Sequence, residues 1–429
     1  MKNIIQSLKG TRDFYPEEMA VRTWLYNNIR NVSESYGYQE YEGPLLESLA
    51  LYAAKSGDEL VKEQSFVFPD RSGELITLRP ELTPTLVRMV AERQNQLIYP
   101  LRWWSYGPFW RYERPQRGRT REFFQWNIDL IGVGSPEADA EIASIIAVLF
   151  RNLGLGPDEV QVIVNNRRLI EDELRNINIA AAQHLNVFRL IDRKEKLSPE
   201  KWDAYAYDLG LNKKQLAGLK TILENYELWK KSEELTRFFD AIQSFEVNEY
   251  IHFDPKIIRG LDYYTGTVYE GKAVDPDIRR AIFGGGRYDN LLADVGGDPL
   301  PGTGFAMGDV VITLLLEKLG RIPNNLGISP APVFVTIFDE NSILDSFALS
   351  NELRATGLKV SCYPEAVKLG KQFKYASRIG AIAVVILGPD EQAQGKVSIK
   401  DLRTAEQVTV PRERATLHIK QLLDGDVAS

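Results

Sequence analysis

The stretch FWRYERPQRGRTREFFQW, residues 109–126, constrains the fold more than any other part of the chain. It holds five arginines (Arg111, Arg114, Arg117, Arg119 and Arg121) around a polar turn marked by Pro115 and Gly118. Strand-like arms flank that turn: RWWSYGPFWRYERP leads into it, and FFQWNIDLIGV (123–133) alternates after it. Alternation puts successive side chains on opposite faces of a sheet. The aromatic flanks predict a hairpin with partly buried arms and its charge at the tip. A solvated basic hairpin is the plain interpretation of such a cluster. The sharper one is a phosphate site, because a row of fork-shaped guanidiniums suits bidentate contacts to phosphate oxygens. Phe123 and Phe124 then offer flat apolar faces on which a purine base could stack.

Length and composition limit the setting of this hairpin. A chain of 429 residues implies two or three domains with ample core. Its 26% charged and 44% hydrophobic content is ordinary for a soluble protein. One cysteine, Cys362, excludes a disulfide framework and a cysteine-rich metal site. The three histidines, His184, His252 and His418, show no ligand spacing. A net charge of -7 gives no global attraction to nucleic acid, so such binding would need local basic patches. The apolar run at the N-terminus is too short for a signal peptide, and no stretch approaches the ~20 apolar residues of a membrane span. A cytoplasmic location is expected.

Patterning divides the rest. Helical periodicity is expected over 19–38 and 137–155, with Gly stops. Residues from about 167 to 248 are charged and helix-periodic with few strand signals. Strand signals return in KIIRGLDYYTGTVYEGKA and RRAIFGGGRYDNLLADV. GRIPNNLGISPAPVF (320–334) is the best linker. Beyond it strands alternate with helices, which predicts a small α/β domain.

Four further motifs stand out. In RGLDYYTGTVYE (259–270), strand alternation would turn one of Tyr263 and Tyr264 to a cleft and the other to the core. FGGGRYDNLL (283–292) lets the backbone approach something closely. TLRPELTP (77–84) puts Glu81 and Thr83 in a Pro-bracketed turn. PGTGFAMGDVVITLLLEKL (301–319) is a glycine-rich entry to an apolar helix, and such turns often cradle phosphate. Asp309 at the helix start is expected to cap it, which would repel an anion.

Taken together, these residues resemble the class II aminoacyl-tRNA synthetases, and within them the histidyl-tRNA synthetase family. GTRDFYP resembles the family's opening. GYQEYEGPLLE (37–47) resembles the dimer-forming first motif, carrying Pro44. The arginine-rich hairpin resembles the second motif. RGLDYYTGTVYE and GGGRYDNLL resemble the two signatures peculiar to the histidine enzyme. The likeness covers nearly the whole chain. It implies an α+β fold: an antiparallel sheet of six or seven strands with flanking helices, a helical insertion and a C-terminal α/β anticodon-binding domain, assembled as a homodimer. The implied domains are a catalytic one at 1–166 and 249–322, an insertion at 167–248 and an anticodon-binding one at 331–429.

The same resemblance implies ATP-dependent ligation of L-histidine to tRNA(His), with Mg²⁺ on the phosphates. An anionic carboxylate must attack an anionic α-phosphate, so cations must draw them together. The resemblance gives Arg111 and Arg259 that role. It puts Glu113 on the adenine, Phe123 stacked on it, and Arg121 at the terminal phosphates. Glu81, Thr83 and Gln125 match positions for the substrate ammonium, and Asp129 beside Tyr264 matches the imidazole reader. A carboxylate and a phenol can bond both ring nitrogens, which an apolar isostere would leave unpaired. In the C-terminal domain Lys368, Lys371, Lys374 and Arg378 are candidates for tRNA phosphate contacts.

One position departs from the family pattern. The third motif normally continues GFAMG with an apolar–acidic–Arg triplet whose arginine meets the γ-phosphate. Here the triplet is Asp309, Val310 and Val311. Arg119, Arg121 and Arg287 are the expected substitutes. The alternative to a ligase is a regulatory subunit of ATP phosphoribosyltransferase, a synthetase-like relative that usually lacks the C-terminal domain and loses the pocket residues. On the ligase reading, Arg259→His abolishes histidine-dependent pyrophosphate exchange while ATP still binds; full activity in that variant would refute its role.

Overall fold

The computed structural model describes residues 5–53, 64–258, 263–327 and 329–425. The chain divides into two compact units, 1–323 and 324–429.

In the first unit, a small antiparallel sheet joins β2 (Leu46–Ser48), β3 (Phe66–Pro69) and β4 (Leu75–Leu78), with β4 central. Among the described residues the main sheet has eight strands. They are β1 (Gln39–Glu40), β5 (Leu101–Trp110), β6 (Glu122–Ile131), β7 (Val160–Asn166), β8 (Ile251–Phe253), β9 (Thr267–Ala273), β10 (Phe283–Tyr288) and β11 (Gly302–Gly308). Their order is β1-β5-β6-β11-β10-β9-β7-β8. The six central strands are antiparallel, and the short edge strands β1 and β8 pair in parallel with their neighbours. The expectation of six or seven antiparallel strands therefore omits these edges. Their two and three residues carry almost no periodic signal.

The arms of the arginine-rich hairpin are β5 and β6, paired from Leu101↔Ile131 to Trp110↔Glu122. Along β6 the two faces have different duties. Trp126, Ile128 and Leu130 enter the main core, where they join Ile142, Ile146 and Phe150 of the helix Pro136–Asn152. Ile131, on the opposite face, joins a second cluster with Leu86, Val87 and Val90 of the helix Thr83–Arg93. Five α-helices lie between 167 and 244, with no strand among those residues. Of the strand expected across 256–273, the described residues form β9, and Tyr263 lies in a turn before it; residues 259–262 lie outside the described residues.

One buried cation ties the first motif to β5. Arg79 is fully buried. Its Nε donates to the Pro108 carbonyl at 3.0 Å, its Nη1 donates to the Gly43 carbonyl at 3.1 Å, and it pairs with Glu42. Its guanidinium also lies 4.5 Å from the centre of the Phe109 ring. Three backbone-directed or charged contacts satisfy the buried fork, which is what makes such burial tolerable.

In the second unit, β12 (Val333–Val335), β13 (Val360–Cys362), β14 (Ala383–Ile386), β15 (Lys396–Asp401) and β16 (Gln407–Pro411) form one sheet in the order β13-β12-β14-β15-β16. The first three are parallel and the last two antiparallel. Val333, Val335, Val385 and Ile399 pack with Leu349, Leu353 and Ile419 from two helices. Lys368, Lys371, Lys374 and Arg378 are exposed along and just before the helix Leu369–Arg378. No helix among the described residues is long and apolar enough to cross a membrane.

Replacing Arg79 by Leu leaves two carbonyls and part of a carboxylate without their donor. We expect a loss of about 2–4 kcal/mol, read as a lower denaturant midpoint of the first unit.

Candidate active site

Alternation along β6 builds the floor of a cleft. Phe123 and Gln125 line it, together with Ala306 and Gly308 of β11 and Phe283 and Gly284 of β10. The loop 111–121 closes one side, contributing Arg111, Glu113, Gly118 and Arg119. The cavity is about 430 Å³, a size that suits a small-molecule ligand. Phe123 stacks on Phe109, with ring centres 6.1 Å apart and planes 27° apart. Phe124 faces the other way, under the Arg22 guanidinium at 3.4 Å. Of the two expected stacking faces, only Phe123 borders the cleft, because neighbouring residues on a strand point to opposite sides.

The arginines of the loop have distinct partners. Arg111 donates its Nε to the Pro80 carbonyl at 2.9 Å, linking the TLRPELTP turn to the loop. Arg119 is ion-paired with the buried Glu113. Arg121 donates its Nε to the Glu113 carbonyl at 3.2 Å and sits 4.3 Å from the centre of the Tyr112 ring; it does not line the cleft. Arg287 is a clear correction. Its side chain is buried, forked onto Asp139 at 3.1 and 2.7 Å, and bonded to the Val133 and Ser135 carbonyls. It joins β10 to the start of the helix Pro136–Asn152 and has no donor left for a phosphate in the cleft.

A second polar group continues from the floor. Gln125 is buried, and its Oε1 has no hydrogen-bond partner among the described residues. Further along the same face, Asp129 accepts a 2.6 Å bond from the Tyr288 hydroxyl. Burial raises the Asp129 carboxyl from its ordinary 3.8 to about 7, against the lowering effect of that phenol. Tyr288 in turn packs edge-on against Tyr263, 6.3 Å between centres, and Tyr263 against Tyr264 at 4.8 Å. Glu81 and Thr83 lie beside the Tyr263 phenol. Glu81 is buried, and the Tyr52 hydroxyl donates to its backbone carbonyl at 3.2 Å.

The phenol bonded to Asp129 is Tyr288, a contact that the resemblance did not name; it set Tyr264 beside Asp129 as a reader of the imidazole. The Tyr264 ring packs with Ile163, Ile257 and Val268. Tyr288 stands one residue past Arg287 in the GGGRYD signature, and β-alternation from Arg287 is the signal that could have singled it out. Arg259, with Gly260 and Asp262, lies outside the described residues.

The glycines of the third motif have a packing reason. Gly304 of β11 is paired with Asp129 in the sheet, and a Cβ there would collide with the Asp129 carboxylate and the Ile128 carbonyl. Gly286 of β10 likewise leaves room for the Tyr264 ring, 2.8 Å from where its Cβ would lie. Asp309 does not cap the following helix, whose N-cap is Gly308. Its Oδ1 accepts from the Phe124 backbone N–H at 2.9 Å, and its Oδ2 accepts from Arg12 Nη2 at 2.8 Å. The pairing of β6 with β11 stops at Gly308↔Gln125, so the carboxylate takes the next N–H that the ladder would leave open.

The family model described as Histidyl-tRNA synthetase matches residues 10–309. The chain belongs to the histidyl-tRNA synthetase family. A second model, described as Anticodon binding domain, matches 333–422. The histidine–tRNA ligase of Leptospira biflexa is 34% identical over 437 aligned positions, covering 97% of this chain and 98% of that protein. The crystal structure of histidyl-tRNA synthetase from Nostoc sp. PCC 7120 superposes with a TM-score of 0.82 at 28% identity, covering 98% of this chain and 100% of that one. An ATP phosphoribosyltransferase regulatory subunit/histidyl-tRNA synthetase from Bacillus halodurans C has a TM-score of 0.74 at 21% identity, covering 90% and 100%, and shares the fold.

The Asp129–Tyr288 bond makes a pH prediction. The folded carboxyl holds its proton more tightly than the unfolded one. Its contribution to stability is complete below about pH 3.8 and is lost as pH rises through about 7. The ligand-free protein should show a carboxyl carbon titrating near pH 7. Tyr288→Phe removes the one bond that favours the ionised form, so that midpoint should move upward in a ¹³C titration; a downward shift would contradict the assignment.

Proposed function

We propose that the chain is a histidine–tRNA ligase that acts through a histidyl-adenylate. The observation that supports this best is the division of labour along one strand face. Phe123 and Arg111 stand at the end suited to a nucleotide, and Gln125 and Asp129 stand at the end suited to a polar amino acid.

In the first step, a carboxylate oxygen of histidine attacks the α-phosphorus of ATP. A new P–O bond forms, the bond to the oxygen bridging α and β breaks, and pyrophosphate leaves with the displaced electron pair. Mg²⁺ enters on the ATP phosphates as part of the substrate. Arg111 and Arg259 carry the charge-stabilising role at the α-phosphate, where removing one such donor commonly costs about 2.7–4 kcal/mol of barrier. Phe123 stacks on the adenine and Glu113 contacts it. Glu81, Thr83 and Gln125 accept from the substrate ammonium. The free Oε1 of Gln125 suits that duty, since a buried acceptor without a donor is costly until a ligand supplies one. Asp129 accepts from an imidazole N–H, with Tyr288 holding the carboxylate in place. In the second step, a hydroxyl oxygen of the terminal tRNA ribose attacks the acyl carbon. The C–O bond to phosphate breaks, AMP leaves, and its phosphate takes the hydroxyl proton.

We infer a homodimer in the cytoplasm. Pro44 is exposed next to Leu45 and Leu46, and the small sheet adds exposed Phe68 and Leu75, an apolar surface that a second copy would cover. The lone Cys362 suits a reducing compartment. The exposed Lys368, Lys371, Lys374 and Arg378 are offered to tRNA phosphates. The regulatory-subunit alternative is weaker, because the C-terminal unit matches an anticodon-binding model.

Exchange of labelled pyrophosphate into ATP should depend on histidine and on no other amino acid. A folded protein that supports no such exchange would overturn the ligase reading.

A further inference from the structure

ATP brings about four negative charges into the cleft, so its cations are the scarce component. Arg119 is neutralised by Glu113, Arg121 is turned onto Tyr112, and Arg287 is consumed by Asp139. Val311, at the start of the third-motif helix, lines the cleft with an apolar side chain. Besides Arg111 at the α-phosphate end and the ion-paired Arg119, one further cation among the described residues lines it. Arg280 comes from the connection between β9 and β10 and is followed by Ala281 and Ile282 on the cleft wall. It makes no hydrogen bond and no ion pair with the described residues.

Its position is fixed by a close approach. Gly118 sits at the tip of the arginine-rich loop with φ +77°. A Cβ added there would lie 3.2 Å from Arg280 Cδ, 3.8 Å from Arg280 Nε and 3.8 Å from Val311 Cγ2. Arg280 and Val311 thus approach the same point under the loop, one from the connection between β9 and β10 and the other from the third-motif helix. The surroundings of Arg280 lack compensation. Burial and the neighbouring Arg119 both weaken its hold on the proton, with Glu113 opposing them. A polyphosphate would supply the missing negative charge.

We propose that Arg280 binds the terminal phosphates of ATP, and the pyrophosphate released from them, in the space beside Val311 where the third motif supplies no cation. This rests on the ATP-dependent ligase reading. It also accounts for Gly118, since any side chain there would press on the guanidinium stem.

The test compares ligands with and without terminal phosphates, using the full-length protein. Arg280→Ala should raise KM for ATP and for pyrophosphate in the exchange reaction by about tenfold to a hundredfold. Affinity for a non-hydrolysable histidyl-adenylate analogue, which carries only the α-phosphate, should stay within about twofold. Arg280→Lys should recover part of the loss, and Arg280→Ala/Val311→Arg should recover ATP affinity from the neighbouring helix. Arg279→Ala, one residue away and exposed, serves as the charge control and should leave both constants unchanged. Unchanged KM values in Arg280→Ala, or an equal loss of the adenylate analogue, would overturn the assignment while leaving the ligase reading intact. Absence of exchange in the unmodified protein would remove both.

Discussion

Everything in the cleft depends on the register of β6. This strand is paired on both sides, with β5 from Leu101↔Ile131 to Trp110↔Glu122 and with β11 from Gly302↔Ile131 to Gly308↔Gln125. Its even-numbered residues from Phe124 to Leu130 belong to the packed face, and Phe123, Gln125 and Asp129 to the other. A slip of one residue would bury Gln125 and Asp129 against Ile142 and Phe150 and push Trp126 into the cleft. The cost of unpaired polar groups in that core holds the strand where it is. Specificity of binding and stability of the fold are therefore the same constraint at this point.

Polar ties at either side make the register hold. Arg79 joins the Glu42–Gly43 segment to Pro108 on β5. Asp309 takes up the Phe124 N–H beyond the end of β11 and draws in Arg12 from the opening GTRDFYP segment. Arg287 locks β10 to Asp139. Each places a charge in a buried position, tolerable because its partners satisfy nearly all its bonding capacity. Arginine is thus used for two opposite purposes in and around one cleft. Arg79 and Arg287 are saturated and structural, whereas among the described residues Arg111 keeps donors beyond its one bond to Pro80 and Arg280 keeps all of them.

That distinction could not be read along the chain. Arg119, Arg121 and Arg287 were equal candidates for a phosphate because each lies in a recognisable motif. Arg280 lies in a stretch with no motif of its own, and nothing in RRAIF distinguishes it from exposed Arg279. Asp309 shows the same limit. An acidic residue at a helix start is commonly a cap, yet this one serves a strand separated from it by 185 positions. Tyr288 was likewise hidden behind the tyrosine pair before β9.

The sequence by itself determined the hairpin, the two-part layout with its α/β C-terminal unit, the alternation that sends Phe123 to the cleft, and membership of a synthetase family. These follow from period, turn residues and local motif, all of which act over a few residues. Tertiary structure decided which cations remain free, which phenol holds Asp129, and what Asp309 does. Those outcomes depend on partners brought together from distant segments, and a guanidinium's role is set by whether a carboxylate reaches it first.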